Sequence, residues 1–370
     1  EDLRVPVERA QHRAHLAVNL HRLLERRLQR DQFAVEVDAE LALHGLLDVG
    51  HAQLAPHVLR RALAQEHLAV LPTETVYGLG ALATSATAVG RIFTTKNRPA
   101  DHPLIAHVLN DKAAIAWARN VPPFAHSLMN EFWPGPMTLV FPRSSRAADF
   151  ITGGQDSVAI RVPGSPIMRD VLQELCSLRD DPFSAIAAPS ANRFGGVSPT
   201  TAQHAMEEIG ALLTDDDVVL GAGPCAIGIE STIVECTADR PRILRLGKVT
   251  AEDVEHATGM QLGGSSQVRA PGMLAAHYSP RASVLLVEEV ELPEQAMPSG
   301  AGVIAPSGVP TPPGLVRLSE PSTTEEYAAD LYRALREADS LQLSTVVVVP
   351  PSGAGLADAV RDRITRAAHA

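Results

Sequence analysis

Short apolar runs alternate with amphipathic stretches from about residue 54 to the end of the chain. The apolar runs have the length of buried strands, whereas the stretches between them repeat their apolar residues at helical spacing. Up to residue 258, the predicted strands are 68–71, 104–108, 137–141, 157–162, 186–188, 218–220, 230–234 and 243–247. The predicted helices are 54–65, 88–95, 111–120, 122–131, 167–178, 198–213 and 251–258.

Strands and helices thus alternate, but several connections between strands are short enough to be hairpins. Parallel neighbours need longer crossovers, so the strands cannot all run the same way. We therefore predict an α/β fold whose mixed, twisted sheet carries helices.

A second, smaller α/β pattern follows at the C-terminal end. It consists of predicted strands 283–290, 303–304 and 344–349 and predicted helices 323–338 and 356–368. The pattern indicates a Rossmann-like domain over residues 282–370. This domain contains no GxGxxG sequence, so the pattern does not support dinucleotide binding there.

These patterns divide the chain into four parts. Residues 1–51 form an N-terminal extension with leucines at helical spacing but no assignable function, and residues 52–258 form the first α/β domain. Residues 259–281 are a linker rich in Gly, Ser, Pro and Ala, yet they include Met273, His277 and Tyr278. A bare spacer has little need of these side chains, so we expect the linker to lie against a domain surface.

Composition narrows the class of protein. A hydrophobic fraction of 45% and a charged fraction of 20% are typical of a soluble protein with a real core. A net charge of -11 argues against broad nucleic-acid binding, and aromatic residues at 4% are too scarce for base-stacking platforms. The three cysteines lack CxxC spacing, and we find neither a membrane-spanning run nor a signal-peptide core. We expect a cytoplasmic protein without a membrane partner.

Candidate chemistry begins at the end of the first predicted strand. Gly78 and Gly80 allow the backbone to turn tightly or to approach a ligand. Pro99 disfavours helix at Arg98, so Lys96 and Arg98 are expected on extended backbone with both side chains pointing the same way. Two such cations beside a glycine turn suggest a phosphate site, and the alternative is a solvated surface pair.

Other polar residues occur at or inside predicted strands. Ser190 and Asn192 supply hydroxyl and amide groups suited to phosphate or ribose, although such turns are common. Arg161 is either a charge on an edge strand or a buried clamp for a carboxylate. His107 lies within an apolar strand, where a core histidine is the simpler interpretation. HExxH, P-loop and GxSxG sequences are absent. The residues alone indicate an α/β protein with an anion or nucleotide pocket.

Several distinctive segments occur in order along the chain: 72–80 (PTETVYGLG), 96–99 (KNRP), 102–104 (HPL), 133–138 (WPGPMT), 157–163 (SVAIRVP), 188–192 (APSAN), 228–233 (GIESTI), 243–247 (ILRLG), 271–273 (PGM) and 277–278 (HY). Taken together, they resemble the YrdC-like threonylcarbamoyl-AMP synthase family in its two-domain form. The resemblance covers about residue 54 to the C-terminus, and residues 1–51 lie outside it.

This resemblance implies a YrdC-like mixed sheet followed by the smaller Rossmann-like domain. It implies that L-threonine, bicarbonate and ATP are converted to threonylcarbamoyl-AMP and pyrophosphate, with Mg²⁺ bound through the ATP phosphates and not by a protein metal site. The product would pass to a downstream tRNA threonylcarbamoyl transferase complex, which modifies adenosine 37 of tRNA. Stable nucleic-acid binding is not required for this role.

The resemblance also assigns residues. The implied ATP-binding residues, of which Lys96 and Arg98 are catalytic, are Lys96, Arg98, His102, Ser157, Ser190, Asn192, Arg245 and Tyr278. The implied threonine-binding residues are Thr75, His107, Arg161, Ala188 and Ser231. Tyr278 is expected to reach over the nucleotide, so that the linker acts as a lid excluding water.

Two features depart from the family pattern, and two rival functions remain. His102 stands where the family often has Asn, and residues 221–224 (GAGP) replace the usual DGGP. One rival is carbamoyl transfer, although relatives with that activity carry zinc-finger segments and this chain has no paired CxxC. The other is an RNA-binding or ribosome-maturation factor that uses the YrdC-like fold, which the negative charge disfavours.

Overall fold

The computed structural model describes residues 61–273, 277–288 and 299–369. The N-terminal extension, most of the predicted helix 54–65 and part of the linker lie outside these residues. None of the helices among the described residues has the length and apolar content that crossing a membrane requires.

The larger sheet has nine strands. They are β1 (Ala69–Leu71), β2 (Gly78–Leu82), β3 (Ile105–Val108), β4 (Met137–Pro142), β5 (Ser157–Arg161), β6 (Ala185–Ala187), β7 (Val218–Val219), β8 (Thr232–Glu235) and β9 (Arg242–Arg245). Their order across the sheet is β7-β1-β2-β6-β3-β5-β4-β8-β9. β3 pairs parallel with β5 and β4 with β8, whereas β1–β2, β2–β6 and β4–β5 are antiparallel. The predicted mixed sheet is confirmed.

Helices cover this sheet and bury its apolar side chains. The described helices of this part are Ala86–Lys96, Asp111–Trp117, Pro123–Phe132, Asp149–Thr152, Pro166–Arg179, Ala202–Ile209 and Ala251–Thr258, with a short 3₁₀ turn at Gly210–Leu212. Side-chain caps start several of them: Ser85, Asn110, Ser165 and Thr250 each accept a hydrogen bond from a backbone N–H of the first turn.

The second sheet is smaller and entirely parallel. Its strands are β10 (Ser283–Leu286), β11 (Gly302–Ile304), β12 (Val316–Ser319) and β13 (Thr345–Val348), in the order β10-β13-β11-β12. Helices Thr324–Ser340 and Leu356–Ala368 pack on it. The predicted small parallel α/β domain is confirmed, although β12 was not predicted.

The segment expected to be a glycine turn is instead strand β2. Gly78 and Gly80 serve close packing in the sheet: a Cβ on Gly80 would lie 2.7 Å from Leu71 Cδ1, and one on Gly78 would lie 3.1 Å from Ala188 Cβ. The prediction of a turn was wrong because the missing side chains make room for neighbouring strands.

The predicted extended backbone at Lys96 is also wrong. The helix Ala86–Lys96 includes Lys96 and ends at Asn97, which adopts the left-handed conformation with φ 52° and ψ 45°. The N–H of Asn97 bonds to the carbonyl oxygens of Phe93 and Thr94, a typical helix cap. Lys96 therefore points from the last helical turn, and Arg98 follows the cap.

The two parts of the chain share one apolar core. Val76, Val197 and Ile229 from loops of the larger sheet are buried with Tyr332 and Leu331 of helix Thr324–Ser340. Tyr278 of the linker belongs to the same cluster. The second domain is thus packed directly against loops that follow the strands of the first.

Candidate active site

Lys96 is the most deeply buried cation of the predicted site, with 1% of its surface exposed. Its Nζ donates to the carbonyl oxygen of Ser190 at 2.6 Å and to that of Asn192. An ammonium has three N–H donors, so one remains for a ligand. Burial, together with the charge of Arg98, lowers the pKa of Lys96 well below its ordinary value. An anion bound here would restore the charged form.

Arg98 lies next to Lys96 and shares an aromatic neighbour with His102. Its Nη2 donates to the carbonyl of Pro103 at 2.9 Å, and its guanidinium lies 5.4 Å from the ring centroid of Phe194. His102 meets the same ring edge-on at 5.1 Å. Burial lowers the pKa of Arg98 to about 10, so it stays charged at neutral pH.

Arg161 ends strand β5, which lies between β3 and β4 in the interior of the sheet. It is therefore not a charge on an edge strand, and only 3% of it is exposed. Nη1 donates to Thr75 Oγ1 at 3.0 Å, Nη2 to Glu74 Oε1 at 2.5 Å, and Nε to the carbonyl of Gly135 at 3.1 Å. The carboxylate that this arginine holds in the structure is that of Glu74.

His107 lies on strand β3 beside Arg161, and Ala188 lies next to the same strand. His107 is the register partner of Arg161 across β3 and β5. Burial and the charge of Arg161 lower the pKa of His107 to about 3, so the ring is neutral at pH 7. The N–H of Ala188 bonds to the carbonyl of Ile105 at 3.2 Å, which places it next to the same strand.

Ser231 and Arg245 form a second connected group at the start of β8 and the end of β9. Arg245 donates to the Ser231 carbonyl through Nε at 3.0 Å and through Nη2 at 2.9 Å, and Nη2 also reaches Ser231 Oγ at 3.1 Å. Thr138 Oγ1 lies 2.8 Å from Ser231 Oγ. The hydroxyl of Ser231 is therefore held on two sides.

Ser157 lies apart from these residues. It begins β5 whereas Arg161 ends it, so the two are separated by about 13 Å along the strand. Both side chains point to the same face, because alternate residues of a strand do. Ser157 and Arg161 therefore lie on the same face of the sheet but at opposite ends of β5.

The described part of the linker packs on the larger sheet. Its Val268 and Ala270 pack on an apolar patch of the sheet that includes Ile105 and Ile233. Further along, the carbonyl of Pro271 accepts a hydrogen bond from Arg245 Nη1 at 3.2 Å. Ile233 lies two residues after Ser231, and Ala159 of the same patch lies two residues before Arg161. Residues two apart in a strand point to the same face, so the linker covers the face that carries Ser231 and Arg161.

Tyr278 is an anchor of this linker. Its ring is 1% exposed, stacks on Tyr332 at 5.6 Å and lies 5.1 Å from the guanidinium of Arg363. The preceding residue, His277, meets the ring of Phe194 at 6.2 Å. Burial lowers the pKa of His277 to about 3; the carboxylate of Glu230 opposes this shift, and the charges of Lys96, Arg98 and Arg245 add to it.

Polar atoms without partners concentrate in this region. Eleven buried side-chain N or O atoms of the described residues have no hydrogen-bond partner. Five of them belong to the predicted site and the linker, namely Arg98 Nε, His107 Nδ1, Asn192 Oδ1, His277 Nδ1 and Tyr278 OH. Because an unpaired buried polar atom is costly, such a concentration is typical of a ligand site.

A large cleft lies elsewhere. It has a volume of about 890 Å³ and runs between the two domains beside Thr200, His204, Cys225, Asp330 and Arg333. None of the predicted site residues lines it, and its charged lining also includes the acidic residues Glu320 and Glu326. A net acidic cleft is unsuited to phosphate, so the buried cations define the candidate site better than this cleft does.

Sequence reasoning missed three residues of the site. Glu74 lies between the two threonines of its motif and pairs with Arg161, and Thr138 follows the WPGP sequence and contacts Ser231. Phe194, two residues beyond Asn192, contacts Arg98, His102 and His277.

A buried Lys–Arg pair near strand-end hydroxyls and arginines defines an α/β protein that can hold a phosphate-bearing ligand and a small carboxylate.

Comparison with known proteins agrees with this class. A model of the Sua5, YciO and YrdC proteins, described as telomere recombination, matches residues 61–247. A second model, described as the C-terminal domain of threonylcarbamoyl-AMP synthase, matches residues 249–369. The chain belongs to the threonylcarbamoyl-AMP synthase family, as the sequence motifs predicted.

Relatives match over most of the chain. Threonylcarbamoyl-AMP synthase of Pyrococcus abyssi is 37% identical over 81% of this chain and 90% of its own length. The enzyme of Bacillus subtilis is 33% identical over 83% of this chain and 90% of its own length. The crystal structure of P. abyssi Sua5 complexed with L-threonine superposes with a TM-score of 0.73 at 34% identity, covering 86% of this chain and 94% of that one.

Proposed function

We propose that this site makes threonylcarbamoyl-AMP from L-threonine, bicarbonate and ATP and releases pyrophosphate. The observation that carries the proposal is the sealed group of cations and unpaired polar atoms around Lys96, Arg98 and Asn192. The relatives named above support it, since they are threonylcarbamoyl-AMP synthases and one was crystallised with L-threonine.

The proposed reaction needs positioned charges and no covalent enzyme intermediate. The amine of threonine takes up bicarbonate with loss of water to give a carbamate. A carbamate oxygen attacks the α-phosphorus of ATP, and the bond from that phosphorus to the bridging oxygen of pyrophosphate breaks. Negative charge grows on the leaving group and on phosphoryl oxygens. Lys96 and Arg98 would stabilise it, because buried cations act strongly where water is excluded.

We assign threonine to the group around Arg161 and Ser231. Arg161 is held by Thr75, Glu74 and a backbone carbonyl, so its fork is fixed before a carboxylate arrives. Ser231 offers a hydroxyl that Arg245 and Thr138 orient. Because Arg161 has two further N–H donors, it can bind the threonine carboxylate without releasing Glu74.

Mg²⁺ would accompany ATP as the counter-ion of its phosphates. The described part of the chain holds no group of three or more His, Cys, Asp or Glu side chains that could bind a metal. Such an ion would be held mainly by phosphate oxygens and water, and this chain would supply the cations that share the phosphate charge.

We further propose that the adenylate is handed to a tRNA threonylcarbamoyl transferase complex in the cytoplasm. A mixed anhydride of a carbamate and a phosphate is labile in water, so its consumption must follow closely. The net charge of -11 supports a role in which this chain supplies the activated group without itself holding tRNA stably.

The proposal is tested by measuring pyrophosphate release from ATP with purified protein. Release should require both threonine and bicarbonate, and serine in place of threonine measures selectivity for the methyl group. Mass spectrometry of the product should find threonylcarbamoyl-AMP. Tight RNA binding without substrate-dependent pyrophosphate release would contradict the proposal and favour an RNA-binding function.

The Tyr278 hydroxyl allows a separate test of the lid. It is buried without a partner among the described residues and lies next to Gly272 and Arg245. Tyr278→Phe removes only this hydroxyl, so the free energy of unfolding should stay the same or rise by about 1 kcal/mol. If the hydroxyl contacts the nucleotide, the KM for ATP should rise about tenfold, since a lost hydrogen bond costs about 1.5 kcal/mol.

Thermal unfolding and steady-state kinetics check this prediction together. Tyr327→Phe is the matched control, because Tyr327 is equally buried in the same cluster but its hydroxyl donates to the carbonyl of Val349. The control should lose stability and keep its KM for ATP. An unchanged KM for ATP in Tyr278→Phe would leave Tyr278 as a packing anchor of the linker.

A further inference from the structure

Arg363 is a buried residue of the second domain that contacts the first domain directly. It belongs to helix Leu356–Ala368, and none of its surface is exposed. Its Nε donates to Glu230 Oε2 at 2.8 Å, and its Nη2 donates to the carbonyl of Leu246 at 2.7 Å. Its guanidinium also lies over the ring of Tyr278. One side chain thus contacts two segments of the first domain and the linker.

The two segments that Arg363 holds are the immediate neighbours of Ser231 and Arg245. Glu230 precedes Ser231, and Leu246 follows Arg245. The segments also pack closely, because a Cβ on Gly247 would lie 2.4 Å from the backbone N of Thr232. A shift of either segment would therefore move the Ser231 hydroxyl relative to Arg245.

Glu230 is the centre of this contact. Its carboxylate accepts hydrogen bonds from Ser198 Oγ at 2.6 Å and from Tyr332 OH at 3.0 Å, in addition to Arg363. Burial opposes its charged form, but Arg363, Arg245 and Ser198 outweigh burial and lower the pKa of Glu230 to about 2. A buried ion pair contributes little net stability, so the effect expected of the Glu230–Arg363 pair is to fix the positions of the segments that it joins.

We propose that Arg363 is a positioning residue of the synthase site. From the second domain, it donates hydrogen bonds to the two chain segments that carry Ser231 and Arg245. It thereby sets the position of the threonine-binding hydroxyl of Ser231 relative to Arg245. The second domain then acts on the site directly as well as through the linker. This inference rests on the proposed function, because it names a residue that orders the same site.

The test compares Arg363→Lys with the double variant Arg363→Met/Glu230→Gln. Lysine keeps the charge near Glu230 but cannot serve Glu230 and the Leu246 carbonyl with a planar fork. The double variant removes both charges and leaves no buried carboxylate without a partner. In either variant the KM for threonine should rise about tenfold or more, and kcat/KM should fall up to about a hundredfold, as misplacement by about 1 Å can do.

The split between kinetic constants separates positioning from simple loss of structure. Partial unfolding would lower kcat in proportion to the active fraction and leave the KM for threonine unchanged. Arg361→Met is the control, since Arg361 lies on the same helix but contacts Pro351, Gly353 and Asp358 of its own domain. It should keep the wild-type KM for threonine.

Each outcome has one meaning. A raised KM for threonine in the folded variants, with the control unchanged, supports positioning by Arg363. Wild-type KM and kcat in Arg363→Lys would overturn it, even if the double variant did not fold. If the wild-type protein and the control both fail to release pyrophosphate and bind neither threonine nor ATP in calorimetry, the proposed function itself fails, and the inference fails with it.

Discussion

Replacing Lys96 with methionine is expected to slow pyrophosphate release by at least about a hundredfold, while the protein stays folded. Methionine fills a similar volume and lacks the charge, so the buried site keeps its packing. What is lost is an ammonium fixed by the carbonyls of Ser190 and Asn192, with one donor left for the phosphates. Removing one preorganised donor from such a site costs about 3–4 kcal/mol in the transition state.

Stability should change much less than activity. Burial lowers the pKa of Lys96 strongly, which means that the folded protein disfavours the charge when no anion is bound. Removing the charge relieves this cost, whereas the carbonyls of Ser190 and Asn192 lose their donor. Because the two effects oppose each other, Lys96→Met should unfold close to the wild-type temperature. Stability and activity diverge in this way at sites that are built for a ligand and not for the fold.

The controls are the remaining lysines, Lys112 and Lys248, both exposed. Lys112→Met and Lys248→Met should keep the wild-type rate. Single-turnover measurement of pyrophosphate release at saturating ATP isolates the chemical step from ATP binding. A rate for Lys96→Met within threefold of wild type would remove Lys96 from the phosphate site.

Much of the architecture is predictable from local pattern. Apolar runs locate most strands of both sheets, and the alternation of strands and helices indicates their class. Strand β2 is the instructive failure, because its sequence GLGAL has two glycines where a strand usually has side chains. The reason for those glycines is the closeness of Leu71 and Ala188, which are distant from each other in sequence.

The sequence around Arg161 could not decide between its two interpretations either. Its neighbours in sequence allow an edge charge or a buried clamp, and the choice depends on the order of strands across the sheet. Since β5 lies between β3 and β4, the guanidinium is enclosed and needs partners. Glu74 is one of them, 87 residues away, and this pairing has no signal in the spacing of either residue.

The site as a whole is distributed over loops that only the fold brings together. Lys96 meets Ser190 and Asn192 across about a quarter of the chain, and Glu230 meets Arg363 across more than a third of it. Sequence motifs predicted which residue types are involved but not that the second domain contributes a buried charge. Long-range contacts of this kind follow from topology, which local periodicity does not encode.

Arg161→Lys should raise the KM for threonine by about a hundredfold and change the KM for ATP by less than about threefold. Lysine retains the positive charge, but it cannot donate to Thr75, Glu74 and the Gly135 carbonyl while also binding a carboxylate with two parallel hydrogen bonds. Two lost hydrogen bonds to a charged group cost about 3 kcal/mol, which corresponds to that hundredfold.

Initial rates over a matrix of threonine and ATP concentrations measure both constants in one experiment. Arg143→Lys is the appropriate control, because Arg143 pairs with the exposed Asp149 outside the site, and an exposed pair of this kind contributes about 1 kcal/mol or less. It should leave both constants unchanged. If Arg161→Lys instead raised the two constants equally, Arg161 would be acting through the general order of the site, because a clamp for the threonine carboxylate has no reason to alter ATP binding.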